Sequence, residues 1–331
     1  MSIVSGPKMR LRSSDEAAGG WSRREIWTKL LLYPTHTLPT AAAPVVVAMG
    51  LALRNKEVAL APAMLAFLGS WLIHIAGVFV DNHELLRTHS NVPEHPELLQ
   101  ALRNGTLTQP ELRIAIAACI AVSLLAGVYL IALGGTFALL LGAIGVGASI
   151  SYAGGPLAYA KTGLAEPIFF LMFGVVAVVG VYFIQATLHH GAPQGLLEAV
   201  RSLPSEVFFV GLPIGALVTN VLIIDDIRDS AFDRVKGWRT GAVRFGLPYS
   251  RGRFVVLYVF AYLAPFAVFQ RFGYSPATLL PLLTLPWAWS IARIVCTEAQ
   301  ASVLGPTTPQ ASMLSLVYAL LLAIGIATAT H

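Results

Sequence analysis

The sequence contains nine apolar runs, each long enough or nearly long enough to cross a lipid bilayer as a helix. A helix needs about 20 apolar residues to cross the hydrocarbon core, where every backbone amide must find its partner within the chain. Hydrophobic residues make up 56% of the chain and charged residues only 12%, unlike a soluble domain. The runs cover residues 37–53, 58–80, 112–132, 134–153, 164–188, 206–224, 253–270, 275–296 and 311–329. The sequence therefore predicts an all-α integral membrane protein with about nine transmembrane helices.

The distribution of lysine and arginine predicts the side of the membrane that each loop faces. If the N-terminus is cytoplasmic, the opposite loops hold Arg54, Lys56, Arg201 and Arg271. The cytoplasmic loops hold Arg87, Arg103, Lys161, Arg228, Arg234, Lys236, Arg239, Arg244, Arg251 and Arg293. This excess satisfies the positive-inside rule and explains the net charge of +5 without a nucleic-acid partner. Nothing in the sequence indicates a protein partner.

The division of the chain follows from the same pattern. Residues 1–30 are polar and basic and lack the features of a signal peptide, so we interpret them as a cytoplasmic tail. The apolar runs extend from there to the end, so residues 31–331 are predicted to form a single transmembrane domain.

A dense group of charges follows the sixth apolar run. Between Asp225 and Gly237 the chain places four carboxylates and three cations directly behind apolar residues. Asp226 and Asp229 stand three residues apart, and Asp229 and Asp233 stand four apart, so on a helix their oxygens share one face. Charges near hydrocarbon are costly unless they are paired, hydrated or bound to metal. Because Mg²⁺ takes carboxylate oxygens and shares its shell with substrate phosphates, the pattern predicts a site for a metal ion and a diphosphate.

A second acidic pair follows the second apolar run. Asp81 and Glu84 stand three residues apart at the predicted cytoplasmic end of that run. One helix face rarely neutralises two phosphates and their metal ions, so the two acidic sites are predicted to act together. The alternative is a solvated helix end at which Asp81 serves as a cap.

Several cations and a tyrosine lie where they can contact a diphosphate. Arg228, Lys236 and Arg239 accompany the second acidic site, and guanidinium groups bind phosphate oxygens in pairs. The alternative for these cations is contact with lipid headgroups. Tyr152 lies at the end of the fourth run and Lys161 in the connection that follows it, on the same predicted side. The alternative for Tyr152 is an aromatic belt at the membrane surface.

Two further polar residues lie within apolar runs. Glu166 is expected to have a charged partner, and both Lys161 and Arg228 remain candidates. His74 lies seven residues before Asp81 and is expected on the same helix face. For His74, a packing role competes with a role as a base or ligand.

The charged segments resemble the UbiA superfamily of intramembrane prenyltransferases, and the MenA-type branch most closely. That branch typically carries N-N-x-R-D-x-x-x-D-x-x-x-G-K-R-T-x-A-V-R-x-G, and this chain reads D-D-I-R-D-S-A-F-D-R-V-K-G-W-R-T-G-A-V-R-F-G from Asp225 to Gly246. The segment from Tyr152 to Gly174 also resembles a pattern of the branch, Y-x-x-G-P-x-x-x-Y followed by G-x-x-E and F-G. In the first acidic motif the chain keeps Asp81, and Glu84 replaces an aspartate.

The resemblance implies a helical bundle around a central cavity, capped by cytoplasmic helical loops, in a multi-pass protein of a bacterial-type inner membrane. It implies Mg²⁺-dependent transfer of a polyprenyl group from polyprenyl diphosphate to an aromatic acceptor, which is 1,4-dihydroxy-2-naphthoate in menaquinone biosynthesis. The expected metal ligands are Asp81, Glu84, Asp226, Asp229 and Asp233, and all of these except Asp226 are also expected to be catalytic. The expected diphosphate ligands are Arg228, Lys236, Arg239, Lys161 and Tyr152.

Three other functions stay open at this point. The altered first motif allows a different acceptor, or cyclisation of the prenyl chain without an acceptor. A secondary transporter with intramembrane acids as ion sites is less favoured, because the acids lie at the ends of the runs on one side of the membrane.

Overall fold

The computed structural model describes residues 22–32, 37–88 and 96–328, and all regular structure in these residues is helical. The prediction of an all-α protein is confirmed. The helices are α1 (Arg23–Leu32), α2 (Thr37–Arg54), α3 (Leu60–Thr88), α4 (Pro96–Arg103), α5 (Gln109–Ile150), α6 (Ala165–Leu171), α7 (Ala177–His190), α8 (Leu196–Ser202), α9 (Ser205–Lys236), α10 (Gly241–Phe245), α11 (Leu247–Phe272), α12 (Leu285–Thr297), α13 (Ala301–Leu304) and α14 (Thr307–Ala327). A π-helical turn, Met172–Val176, joins α6 to α7, and a 3₁₀ segment, Pro276–Thr284, precedes α12.

Among the described residues, seven helical segments are long and apolar enough to cross a membrane. The α2 helix is apolar but shorter than these seven. The α5 segment has 42 residues and covers both the third and the fourth apolar run. The predicted count of nine spans therefore stays a prediction.

The α5 segment reverses its direction at a glycine. Gly135 has non-helical backbone angles, φ 59° and ψ −147°. On either side of this break, Ser123 donates to the carbonyl of Gly69 and Ser149 donates to that of Ile73, and these two acceptors lie one turn apart on α3. A straight helix would separate the two serines by about 39 Å. The two legs of α5 therefore fold back and pack side by side against α3.

The α9 helix forms the centre of the bundle. In its most apolar stretch 83% of the residues are buried, whereas in that of α5 only 17% are buried. Glycines bring α9 against the turn between α6 and α7, since a Cβ on Gly211 would lie 1.9 Å from the carbonyl oxygen of Gly174. Small residues allow this close helix approach in membrane proteins. The α9 helix ends at Gly237, which takes a left-handed conformation with φ 75°. The charged residues of α9 lie just before this glycine.

Part of the predicted N-terminal tail packs against the bundle. Ile26 of α1 is 1% exposed and belongs to a cluster with Ile75, Phe79 and Leu112. Residues 1–21 lie outside the described residues, as do His89 and His331.

Candidate functional site

An apolar cavity of about 670 Å³ opens between α3, α5, the α6–α7 segment and α9. Tyr152, Tyr159 and Asp225 line it near the charged end of α9, and Gly180 and Ile184 line it farther along α7. The lining residues Phe169 and Ile184 lie 15 positions apart, which corresponds to about 22 Å of helix. The central cavity expected from the resemblance is thus present, with polar groups at one end.

Two aspartates of α9 share one basic residue of the same helix. Arg228 donates to Asp225 over 2.5 Å and, with two nitrogens, to both carboxylate oxygens of Asp229 over 2.6 and 2.5 Å. Thr308, at the start of α14, also donates to Asp225 over 2.7 Å. Arg228 therefore bridges the two carboxylates, so one cation is shared between two acidic side chains.

A second ion pair lies one turn farther along α9. The Lys236 Nζ atom is 3.0 Å from Asp233 Oδ1, and the two side chains are only 3% and 5% exposed. The ammonium lies 3.8 Å from the ring centroid of Trp238 and 4.3 Å from that of Phe232. Thr240 makes a longer hydrogen bond, 3.4 Å, to the other oxygen of Asp233. The aromatic faces and the carboxylate together hold Lys236 in place.

Asp81 of α3 lies close to this charged end of α9. The charges that act most strongly on it are those of Lys236, Asp233, Asp229 and Lys161. Its Oδ1 atom is buried and accepts no hydrogen bond from the described residues. Asp81 is therefore within electrostatic reach of the charged end of α9, and the predicted joint action of the two motifs stays a prediction.

Glu84 makes its polar contacts with other partners. Arg87 donates to it over 2.7 Å, and the Nδ1 atom of His83 lies 3.3 Å away. His83 in turn accepts a hydrogen bond from Arg113 of α5. Arg87 is also the charged group that acts most strongly on Glu84.

Asp226 faces a second buried acid. It is 9% exposed, its carboxyl group lies beside that of Glu166, and Glu166 contacts Arg253 of α11. The sequence left Lys161 and Arg228 as candidate partners of Glu166. The observed partner is Arg253, which the sequence analysis did not name. The sequence signal for this partner was the position of Arg253 at the start of an apolar run, because a charge there needs a partner.

The connection between α5 and α6 covers the charged end of α9. The backbone N–H of Ala160 donates to the carbonyl of Tyr152, and that of Arg239 donates to the carbonyl of Lys161. The Lys161 ammonium lies 5.7 Å from the ring of Trp238, and the side chain of Arg239 is exposed. Tyr152 and Lys161 lie in this connection, Lys236 lies at the end of α9, and Arg239 lies in the loop after α9. Four of the five expected diphosphate ligands thus lie where these segments meet.

Tyr152 lies between the two acidic motifs. Burial raises the pKa of its phenol well above the usual value, and the charges of Asp81, Asp226 and Asp225 raise it further. The phenol therefore stays protonated and can donate a hydrogen bond. Its ring also packs at 5.5 Å from that of Tyr159, whose pKa burial raises as well.

His74 lines the cavity on α3, two turns before Asp81. Its ring packs against Phe173, with the centroids 5.4 Å apart. The expectation that it shares a helix face with Asp81 stays a prediction.

The carboxylates fit a magnesium ion that is bound together with phosphate. Among the described residues, no three His, Cys, Asp or Glu side chains lie close enough together to enclose a metal ion. Mg²⁺, however, usually binds through one or two carboxylates, waters and the phosphates of its substrate. The buried, unbonded Oδ1 of Asp81 beside Asp229 and Asp233 offers such oxygen ligands.

Comparison with known proteins places these features in one family. The model of the UbiA prenyltransferase family matches residues 41–304. The chain is 28% identical over 312 residues to 1,4-dihydroxy-2-naphthoate octaprenyltransferase of Escherichia coli (strain K12), covering 92% of this chain and 96% of that protein. It is 27% identical over 288 residues to the protein of the same name from Mycobacterium tuberculosis (strain H37Rv), covering 87% and 92%.

Solved structures share the fold at lower identity. A UbiA homolog from Aeropyrum pernix K1, in its apo form, superimposes with a TM-score of 0.64 at 18% identity, covering 88% of this chain and 97% of that one. A UbiA homolog from Archaeoglobus fulgidus, bound to DMAPP and Mg²⁺, superimposes with a TM-score of 0.55 at 15% identity, covering 90% and 99%. The bundle described above is therefore the fold of these proteins.

Proposed function

This chain belongs to the UbiA prenyltransferase family, and we propose that it transfers a polyprenyl group from polyprenyl diphosphate to 1,4-dihydroxy-2-naphthoate. The relatives that carry the name of this activity match it over most of their length. The observation that carries the proposal is the meeting of Asp81 with the charged end of α9 at one end of an apolar cavity. A polyprenyl diphosphate has the same division, with charge at one end and a long hydrocarbon chain behind it.

The diphosphate end would be bound by cations that surround the cavity mouth. We assign this role to Arg228, Lys236, Arg239 and Lys161, with the protonated phenol of Tyr152 as a further donor. Arg228 and Lys236 now neutralise aspartates of α9, so they already lie where negative charge is held. Guanidinium groups suit phosphate oxygens because they donate two parallel hydrogen bonds.

The acidic residues would hold the magnesium that accompanies the diphosphate. Asp81, Asp229 and Asp233 are the ligands that the geometry favours, since they lie within one another's electrostatic reach. Asp226 and Glu84 would contribute only after exchanging their present partners, Glu166 and Arg87. A bound Mg²⁺ supplies positive charge that stabilises the departing diphosphate.

In the proposed reaction, a ring carbon of the acceptor exchanges its bond to the carboxylate for a bond to the prenyl chain. The bond between carbon 1 of the prenyl chain and the diphosphate oxygen breaks, and both electrons leave with the diphosphate. The ring carbon that bears the carboxylate forms a bond to that prenyl carbon, and the carboxylate then leaves as carbon dioxide, returning its electron pair to the ring. The apolar cavity excludes water, which would otherwise capture the allylic cation.

The hydrocarbon tail would lie in the cavity along α7 and α5. Each buried CH₂ group contributes about 0.8 kcal/mol, so a long prenyl chain gains much of its affinity from this surface. We further propose that the charged mouth faces the cytoplasm, because the loops at that end carry most of the lysine and arginine residues.

The activity can be tested with purified protein in detergent. The assay contains Mg²⁺, radiolabelled polyprenyl diphosphate and 1,4-dihydroxy-2-naphthoate, with one control that contains EDTA and one that lacks the acceptor. We expect a lipid-soluble prenylated product that EDTA abolishes. Release of diphosphate without acceptor would instead indicate cyclisation, and a product only with other aromatic acceptors would refute the naphthoate assignment.

A further inference from the structure

Asp225 is the point at which α14 contacts the charged end of α9. It lines the cavity, and its Oδ1 atom accepts a hydrogen bond from Arg228 Nη1 over 2.5 Å and another from the hydroxyl of Thr308 over 2.7 Å. Thr308 is 2% exposed and lies in the first turn of α14, where the helix dipole favours a carboxylate. The contact therefore ties one aspartate of α9 to a separate helix.

A second buried hydrogen bond fixes the face that α14 presents to its neighbours. Ser312 lies one turn after Thr308, and its hydroxyl oxygen is 2.9 Å from that of Thr40 on α2. Both of these side chains are buried. The start of α14 cannot rotate about its axis without breaking both contacts, so the hydroxyl of Thr308 is held against Asp225.

Arg228 occupies a carboxylate that the proposed metal ion needs. Its Nε and Nη2 atoms donate to the two oxygens of Asp229, while Nη1 donates to Asp225. Asp229 is one of the ligands that the geometry favours for magnesium, so Arg228 must leave it when the ion and the diphosphate bind. A guanidinium is a planar fork of several N–H groups, so it can keep one partner while it exchanges another.

We propose that Asp225, held by Thr308, is the fixed partner that keeps Arg228 at the mouth while this guanidinium moves from Asp229 to the diphosphate. This inference rests on the proposed function and deepens it. In the complex, Nη1 of Arg228 stays on Asp225, its other nitrogens donate to phosphate oxygens, and Asp229 is released to the metal ion. Thr308 touches neither substrate nor metal, so it is a positioning residue.

The hydroxyl of Thr308 decides which carboxylate keeps Arg228. Without it, Asp225 loses its bond to α14 and its side chain can rotate. Arg228 then stays on Asp229, to which it donates two parallel hydrogen bonds, the stronger arrangement for a guanidinium. The exchange becomes less favourable, and the diphosphate binds more weakly. Thr308→Val makes this change alone, because it replaces the hydroxyl by a methyl group and keeps the branched shape of the side chain.

Equilibrium dialysis with radiolabelled polyprenyl diphosphate tests the inference, in Mg²⁺ and again in EDTA. We expect Thr308→Val to bind about tenfold more weakly than the wild type under both conditions, as the loss of one buried hydrogen bond to a charged group allows. Thr308→Ser, which restores a hydroxyl, should recover most of the affinity. The matched control is Thr307→Val, which should bind as the wild type does. Thr307 is 1% exposed, but its hydroxyl donates to the carbonyl of Val303, four residues earlier in the chain.

A double variant separates an effect through Asp225 from damage to α14. Asp225→Ala with Thr308→Val should bind the diphosphate as Asp225→Ala alone does, because two residues that act through one contact are not additive. A further tenfold loss in the double variant, or wild-type affinity of Thr308→Val, would overturn the inference. A loss confined to the samples with Mg²⁺ would also overturn it, since Asp225 would then act on the metal ion.

The same measurements keep this inference distinct from the proposed reaction. Dialysis needs no turnover. A wild type that transfers no prenyl group, yet binds the diphosphate in a way that depends on Thr308, would refute the proposed reaction and leave the role of Asp225 standing.

Discussion

A single methyl group at Gly241 should push apart the buried ion pair behind the active site. A Cβ at this position would lie 2.5 Å from the Nη2 atom of Arg253 and 2.6 Å from the Oε1 atom of Glu166. Neither group can move freely, because Glu166 is 6% exposed and lies beside Asp226. Gly241→Ala must therefore separate the pair or displace the chain that leads into α10.

Overpacking of this kind costs about 1–3 kcal/mol of unfolding free energy. The matched control is Gly252→Ala, one residue from Arg253 within α11, where a Cβ would meet nothing within 4 Å. There, replacing a helical glycine by alanine should stabilise the protein by about 0.5–1 kcal/mol. The two variants, which add the same atom, should therefore differ by about 1.5–4 kcal/mol, the sum of the two effects.

Titration with SDS in mixed micelles, followed by far-UV circular dichroism, measures this difference. Gly241 follows the loop in which Arg239 is hydrogen-bonded to Lys161, so Gly241→Ala should also raise the KM for polyprenyl diphosphate. The KM for the acceptor should change little. If Gly241→Ala were as stable as Gly252→Ala, the ion pair would not be fixed as described, and the reasoning would be wrong.

Three further predictions concern the charged mouth. Asp81→Ala and Asp229→Ala should each abolish prenyl transfer while circular dichroism and gel-filtration profiles stay unchanged; full activity of the Asp81 variant would contradict the joint action of the two motifs. Val235→Cys, at a side chain that is 84% exposed, should react with a membrane-impermeant maleimide only from the cytoplasmic side, and Ala192→Cys only from the opposite side; the reverse labelling would invert the proposed orientation. The raised pKa of Tyr152 keeps its phenol protonated beyond pH 10, so Tyr152→Phe should lower the rate without removing a basic limb from the pH profile below pH 10.

Matched controls separate these effects from general damage. Glu198→Ala removes an exposed carboxylate on α8, away from the cavity lining, and should leave the rate unchanged. The labelling experiment uses a background in which Cys119 and Cys296, the two native cysteines, are replaced by serine.

The helical membrane fold was predictable because hydrocarbon imposes one strong rule on the chain. Long apolar runs must satisfy their backbone amides within each segment, so the run from 206 to 224 had to be helical. Helical spacing predicted that Asp226, Asp229 and Asp233 share one face. In the structure, Arg228 instead pairs Asp229 with Asp225, and Asp226 lies beside Glu166. The prediction that Asp81 acts with the acids of α9 rested on both motifs following runs that end on the same predicted side of the membrane.

The partners across helices depended on the tertiary structure. Asp225 receives a hydrogen bond from Thr308, and Glu166 contacts Arg253, across 83 and 87 residues of sequence. Spacing along one chain carries no information about which helices become neighbours or how each is rotated. The sequence by itself therefore determined the helices, their charged ends and the family to which they are similar. An apolar helix can be rotated about its axis without breaking its own hydrogen bonds, so its orientation is set by contacts with neighbouring helices. Only the packing of the helices therefore decided which carboxylate faces the mouth and which faces another acid.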